Sequence, residues 1–362
     1  MKSHIAYKFR IYPNNIQEEL INKTFGCTRF IWNRMLDDYN HLHKINTPAF
    51  YKKDFAFLKE VDSLALSNVQ LQLSSAIMNE YVSKSGKPRF KSKKHSKRSY
   101  TTNCVNNNIQ LLSHAIKLPK LGFVKCVVHR EAPEDYKLKS VTVSCNRIQQ
   151  YFVSILYEYD NQVQVCEDTK TIGLDYSMNH FYVDSHSHYE DMPHFFREQE
   201  ERLAKEQRKL SRRYKKDANK QSARYYKQQY KVNKLHVKIA NQRKDYLHKL
   251  SMRLINEYDM IKIEDLNMKG MSQALNFGKS VHDNGWGMFV RMLEYKAKSA
   301  GKRVEKVNKY YASSQICHVC GYRNRNTKDL SVREWKCPQC QTVHNRDVNA
   351  AINIRNYAIQ RV

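Results

Sequence analysis

The sequence predicts a multidomain α/β protein: an N-terminal β-barrel interrupted by a helical insertion, then an α/β unit into which a zinc ribbon is inserted. Three observations carry this. Short β-branched segments bounded by turns fill residues 109–165, with a distant companion at residues 4–12. Two apolar strands farther along each carry an acid that a strand interior or end does not need. Near the C-terminus, Cys317-His-Val-Cys320, a sixteen-residue spacer and Cys337-Pro-Gln-Cys340 give the paired-thiol spacing of a four-cysteine zinc site.

Residues 4–12 alternate, with Ile5, Tyr7, Phe9 and Ile11 on one face, and Pro13-Asn-Asn stops the strand. Ile16, Leu20, Ile21, Phe25, Phe30, Ile31 and Leu36 then recur at helical spacing. A second helical pattern runs through Leu64, Val69, Leu73, Ile77 and Tyr81. Residues 84–100 hold eight Lys or Arg and no acid. Such a segment has too little apolar surface to fold alone and reads as a loop that meets phosphates, with Lys87, Arg89 and Lys91 as candidate contacts. Ile109-Gln-Leu, Lys117-Leu-Pro, residues 123–128, 140–144 and 151–157 predict strands. The expected division is a barrel from 1–13 and 101–167, a helical insertion over 14–100, an α/β unit from 168–312 and 341–362, and a ribbon over 313–340.

Residues 197–250 carry 18 Lys or Arg against 6 acids, interleaved with Tyr214, Tyr225, Tyr226 and Tyr230 and free of Pro and Gly. They read as a hairpin of long basic helices. Lys and Arg take phosphates while tyrosines stack on bases or riboses, so Arg212, Arg213, Lys215, Lys216 and Tyr225 are candidate nucleic-acid contacts. Trp286, Phe289, Val290, Leu293 and Ala297 have helical spacing and Val304 to Val307 reads as a strand; these are read as core.

The whole chain of 362 residues has a net charge of +28, which points to a polyanionic partner. Nucleic acid leads. An anionic membrane is disfavoured, because no apolar run approaches the roughly 18 residues of a span and Met1-Lys-Ser-His-Ile-Ala-Tyr-Lys lacks a signal-peptide core. Five further cysteines, Cys27, Cys104, Cys126, Cys145 and Cys166, are scattered and read as buried thiols in a reducing cytoplasm.

Three segments point to chemistry. Asp175 sits among apolar neighbours in Thr171-Ile-Gly-Leu-Asp175, Glu264 ends the apolar strand Met260-Ile-Lys-Ile-Glu264, and Asp347 heads an Ala-rich helix. Carboxylates on separate elements can meet to chelate hard cations, and oxygen-only ligands favour Mg²⁺ or Mn²⁺. Two such ions activate water and stabilise the leaving oxygen of a phosphodiester. Asp347 is also readable as a helix N-cap, and Asp184 and Asp265 are also available as ligands. His318 and His344 are spare possible ligands, but four thiolates already complete a tetrahedron.

With these residues in place, the chain resembles the TnpB (OrfB) proteins of insertion sequences, relatives of the type V CRISPR effector nucleases. The resemblance runs through Thr24-Phe-Gly-Cys-Thr-Arg-Phe-Ile-Trp-Asn33, Gly86-Lys-Pro-Arg-Phe-Lys, Lys117-Leu-Pro-Lys-Leu-Gly122, Gly173-Leu-Asp175, Ile263-Glu264, Arg346-Asp347-Val-Asn-Ala-Ala and Ser314-Gln-Ile-Cys-His-Val-Cys-Gly. It implies a RuvC-like, RNase H-related nuclease core in which Asp175, Glu264 and Asp347 hold two Mg²⁺ ions, with one structural Zn²⁺ on the ribbon. It also implies a guide RNA from the transposon end, cleavage of double-stranded DNA beside a short adjacent motif, and a companion transposase in the same element. By region, Tyr51, Ser67 and Asn106 are candidates for reading that motif. Asn345 stands where many relatives have a second Asp, and is expected to be dispensable. A guided DNA-binding regulator and a transposase performing strand transfer are the alternatives; the three intact acids weigh against the first.

Overall fold

In the computed structural model the described residues are 2–83, 86–177, 179–216, 218, 220–268, 285–329 and 331–358. Residues 84 and 85 of the basic loop, 217 and 219 of the basic hairpin and Leu330 of the ribbon spacer therefore lie outside the described residues. The chain divides into two units, Met1–Asn161 and Gln162–Val362.

The first unit begins with β1 (Lys2–Tyr12), whose Tyr7, Phe9 and Ile11 are buried on one face as the alternation requires. α1 (Asn15–Leu42) follows, opened by a capping box in which Asn14 and Gln17 satisfy each other's backbone amides. α2 (Pro48–Asp54) and α3 (Ser63–Val82) complete the insertion. The insertion has its own apolar core, in which Ile31, Met35 and Leu36 of α1 meet Leu66 and Leu73 of α3. The chain then forms β2 (Arg98–Asn103), β3 (Gln110–Leu111), β4 (Ala115–Leu118), β5 (Gly122–Val127), β6 (Lys137–Cys145) and β7 (Tyr151–Asp160).

These strands form one antiparallel sheet in the order β2-β6-β7-β1-β5-β4-β3. The expected barrel is not formed. β2 and β3 are the two ends of the sheet, and among the described residues no pairing joins them. The buried face is covered instead by Ile21 and Phe25 of α1 and Ala65 of α3, so closure is not needed to keep it dry. β2 corrects a second expectation. Its first three residues fall in the segment assigned to the basic loop, yet Tyr100 and Thr102 alternate inward on a paired strand.

The second unit contains β8 (Thr171–Tyr176), β9 (Tyr182–Asp184), β10 (Tyr189–Glu190), α4 (Arg197–Arg213), α5 (Ala223–Glu257), β11 (Met260–Glu264), α6 (Trp286–Ser299), β12 (Arg303–Val307), β13 (Glu334–Lys336), β14 (Val343–Asn345) and α7 (Arg346–Asn356). β8, β11 and β12 run parallel, β9 and β10 extend the sheet antiparallel, and the order is β10-β9-β8-β11-β12. Ile172, Leu174, Ile261 and Ile263 point to one face, packed on Leu247, Leu250 and Leu254 of α5 and on Trp286, Phe289 and Leu293 of α6. The α6 pattern is thus core, as its spacing indicated.

The other face carries Gly173, Asp175, Lys262 and Glu264, because side chains alternate along a strand. α7 lies over it. A Cβ on Gly173 would stand 2.2 Å from the Ala351 carbonyl oxygen and 2.5 Å from the Arg355 nitrogen. Only glycine lets the backbone of α7 approach this closely. Lys262 ties down the far end of the helix by donating to the Tyr357 carbonyl at 2.7 Å.

Candidate metal centres and nucleic-acid surfaces

The register of the second sheet brings two acids side by side. Ile263 pairs with Leu174 in parallel, so Glu264 follows next to Asp175 on the face beneath α7. Asp347 is in the first turn of that helix. Asp175 is half-buried, crowded by protein yet still touched by solvent. Burial, and then the charges of Glu264 and Asp347, push its carboxyl well above the ordinary range, with Arg346 opposing. Burial also raises Glu264, against a hydrogen bond from the Ser313 hydroxyl at 2.6 Å. Asp347 is met by Arg333 at 3.1 Å and Arg346 at 3.6 Å. A buried carboxylate that feels the charges of two other acids belongs to an oxygen donor set suited to a hard divalent cation.

The two alternative acids, Asp184 and Asp265, are placed differently. Asp184 lies opposite Leu174, so it points to the other face from Asp175. Its Oδ1 accepts from the amides of His186 at 2.8 Å and His188 at 3.0 Å, which closes the turn after β9. Asp265 is exposed beyond the end of β11. Asp347 is not the helix cap. Asn345 is: its Oδ1 accepts from the amides of Asp347 and Val348, both at 3.1 Å. Asn345 thus positions Asp347, a role the expectation of dispensability overlooked.

Four residues that position the acids went unread in the sequence. Asn349 and Asn353, both buried, donate to the Ile316 carbonyl at 2.7 and 2.6 Å, and Asn353 also to the Ser313 carbonyl at 2.8 Å. They fix the segment from which Ser313 reaches Glu264. The signal was present: two asparagines four apart in an Ala-rich helix are poor helix formers on one face. Arg333, from the ribbon, and Ser313 had no such signal, because only the fold brings them near.

In the ribbon, the four sulfurs of Cys317, Cys320, Cys337 and Cys340 lie within 4.8 Å of one another. Cys317 and Cys340 are 3.6 Å apart, Cys320 and Cys337 3.5 Å. Tetrahedral zinc with bonds of about 2.3 Å places its sulfurs roughly 3.8 Å apart, so the thiols fit Zn²⁺. Each Cys-x-x-Cys turn closes on the next residue, where Gly321 and Gln341 have φ of 78° and 61° and donate to the carbonyls of Cys317 and Cys337. His344 Nε2 is 3.0 Å from the Cys317 sulfur, and His318 bonds Asn349.

The expected nucleic-acid contacts divide. Lys87 and Arg89 are exposed, and Ser67 and Asn106 lie on the surface of α3 and of a turn. Arg212, Lys215 and Lys216 are exposed where the basic hairpin turns. Tyr51 is displaced from the surface: it is buried in the helical core, and its hydroxyl donates to Asp38. Lys91 is half-buried, with its ammonium 3.4 Å from the Trp32 ring centroid and its pKa brought down to about 8 by burial. Its backbone is clasped by Asn33, and Trp32 donates to the Arg89 carbonyl, so the basic loop is pinned to α1. Arg213 closes the hairpin by donating to the Arg224 carbonyl and Gln228. Tyr225 is half-buried between Tyr214 and Tyr226.

Three family profiles match the chain: a "Cas12f1-like, TNB domain" over residues 286–354, a family described as "Probable transposase" over 154–275, and a "Helix-turn-helix domain" over 1–47. The last description does not fit what residues 1–47 form, which is β1 and the single helix α1. The fold is similar to that of the protein in a solved Cas12f1–sgRNA–target DNA complex, with a TM-score of 0.62 at 13% identity over 98% of this chain and 99% of that one. A TnpB-like protein of Methanocaldococcus jannaschii is 31% identical over 34% of this chain and 28% of its own length. InsQ of Escherichia coli K12, named "Putative RNA-guided DNA endonuclease", is 29% identical over 98% of this chain and 92% of its own. A protein of Streptomyces pristinaespiralis with the same description is 33% identical over 96% and 88%. Similarity at that level along nearly the whole of both chains means that this chain belongs to the TnpB (OrfB) family.

Proposed function

We propose that this protein is an RNA-guided DNA endonuclease of a transposable element, cutting double-stranded DNA beside a short adjacent motif at a RuvC-like centre formed by Asp175, Glu264 and Asp347. The observation that carries the reading is Asp175 of β8 beside Glu264 of β11 and within reach of the charge of Asp347 on α7, with burial raising both strand acids and the other two acids raising Asp175 further. Two Mg²⁺ ions at such a set supply the positive charge that activates water and stabilises the leaving 3′ oxygen. Asp175, which feels the charges of both other acids, would be the ligand shared by the ions. Ser313 orients Glu264, and Asn345 orients Asp347. Arg333 and Arg346, paired with Asp347, have the fork geometry that takes phosphate when the acid turns to metal.

Sequence would be read by pairing of guide RNA with target strand, and the protein would hold the heteroduplex by its backbone. The exposed cations of the basic loop and of the α4–α5 turn are the surfaces for this, and one Zn²⁺ holds the ribbon. On this reading the element also encodes a companion transposase, and the protein acts in the cytoplasm on nucleoid DNA. The purified ribonucleoprotein tests it. The RNA that co-purifies should derive from the transposon end, and a plasmid carrying the matching target should be cut in Mg²⁺ but not in EDTA. Asp347→Ala should cut at least about a hundredfold more slowly, the cost of losing one charge-stabilising group, while still shifting target DNA on a gel. Normal cutting by Asp347→Ala would remove Asp347 from the site.

A further inference from the structure

We propose that Tyr189 is a stacking platform for one unpaired base of the DNA strand led to the carboxylates, held edge-on by His180. The inference rests on the endonuclease reading and adds the residue that would position the strand. Asp175 pairs with Val183 on β9, and Val183 pairs with Tyr189 on β10. Directly paired residues share a face, and neighbouring strands are about 4.8 Å apart. Tyr189 thus stands two strands, about 10 Å, from Asp175 in the same cross-strand row as the acids. The residue is 44% exposed, so it is not core.

The ring is nonetheless braced. His180 meets it edge-on at 5.0 Å and 63°, and His180 Nδ1 is 2.6 Å from the Asp191 carboxylate. An exposed aromatic held in one orientation offers a π-face without the entropy cost of ordering it. The surrounding charges decide which part of a strand it meets. Asp347 and Glu334 act on the Tyr189 hydroxyl, which burial and these two acids raise. With Asp191 beyond His180, this side of the site repels phosphate, while Arg333 and Arg346 draw it. A strand lying along the centre would therefore turn its phosphates to the arginines and a base to Tyr189.

The test uses the full ribonucleoprotein and target DNA carrying 2-aminopurine at successive positions near the cut, with Ca²⁺ replacing Mg²⁺ to hold the strand uncut. The wild type should quench fluorescence at one position. Tyr189→Phe and Tyr189→Trp should keep the quench. Tyr189→Leu, which keeps the apolar bulk without the π-face, should lose it and slow single-turnover cleavage in Mg²⁺ by about tenfold, toward the lower end of what one stacked base contributes. His180→Ala should weaken the quench. Equal quenching by wild type and Tyr189→Leu, or no quenched position in the wild type, would overturn the proposal. A wild type that never cuts matched DNA in Mg²⁺ would count against the endonuclease reading instead.

Discussion

The second unit holds two candidate sets of metal-ligand side chains built in opposite ways. The four thiols come from two short turns and already stand within 4.8 Å of one another, ready for a tetrahedral ion. Among the described residues no set of three acids converges so closely. The carboxylates come from positions 175, 264 and 347, depend on strand register and on the seating of α7, and are partly engaged by Ser313, Arg333 and Arg346. The thiol set is closed and local. The acid set is open and held by the whole unit. On the proposed reading, that difference would separate an ion that maintains structure from ions that share their coordination with a substrate.

The largest effect that sharpens this contrast is in the ribbon. Cys337→Ser should remove the zinc, about one per chain by elemental analysis. Zinc in a module this small is worth on the order of 10 kcal/mol at neutral pH. Hydrogen exchange should therefore show residues 313–345 losing protection while the first unit keeps it. Cleavage should be lost too, since Ser313 and Arg333 come from the ribbon. Retention of zinc and protection by Cys337→Ser would break the comparison at its closed end.

The open site predicts a gain rather than a loss of stability. Asp175 has a folded pKa raised above its unfolded value, so the folded state holds that proton more tightly. The cost is absent below the unfolded value near about 4, grows as pH rises through the folded value, and is complete above it. Metal-free Asp175→Asn should be more stable than wild type at pH 8 by about 1 kcal/mol, a typical exchange of function for stability, with the gap closing toward pH 4. Mg²⁺ should raise the melting temperature of the wild type more at pH 8 than at pH 5. Identical metal-free melting curves for the two proteins at pH 8 would show that the acids do not strain the fold.

Gly173 joins the two ends of the contrast, because it decides whether α7 sits close enough to bring Asp347 to Asp175. Gly173→Ala would drive a methyl into the α7 backbone. Overpacking of this kind costs about 1–3 kcal/mol. Cleavage should fall more than stability alone explains, because the helix that moves carries Asp347, the third proposed ligand. Zinc content should be unchanged. An alanine variant with wild-type cleavage would mean that α7 tolerates displacement and that the acids are less tightly placed than the register implies.

What the sequence revealed follows the range of each signal. Alternation in residues 4–12 and helical spacing in α1, α3 and α6 are local, and they match the structure. The paired thiols announce their cluster because their spacing is the geometry. The open sheet was not legible, since whether a sheet closes depends on what covers its face, and α1 and α3 do so from distant positions. Tyr51 was misplaced for a similar reason: a polar tip looks like a surface residue until Asp38 is found beside it. β2 was hidden by a charge count that ignored the alternation of Tyr100 and Thr102. For the acids, the sequence offered one costly carboxylate, Asp175, and two more at the ends of elements, Glu264 and Asp347. Their convergence rests on register and on a glycine whose reason lies 178 residues away, at Ala351.

Asn345 gives the smallest effect and the finest test of how the open site is held. The residue ends β14 and caps α7, with φ of −75° and ψ of 128° and two amides on its side-chain oxygen. One of those amides belongs to Asp347 itself. Asn345→Ala should cost about 1 kcal/mol through loss of the cap, fray the first turn and slow cleavage several-fold by letting the third acid wander. Asn345→Asp keeps the acceptor, and a negative charge at a helix N-terminus is favourable, so its stability should match wild type. If a second acid at this position also reaches the ions, Asn345→Asp should cut at lower Mg²⁺ concentration than wild type; an unchanged Mg²⁺ dependence would restrict the position to capping. Full cleavage and an unchanged melting temperature in Asn345→Ala would show that Asn349, Asn353 and the closeness of Gly173 hold the helix start without its cap.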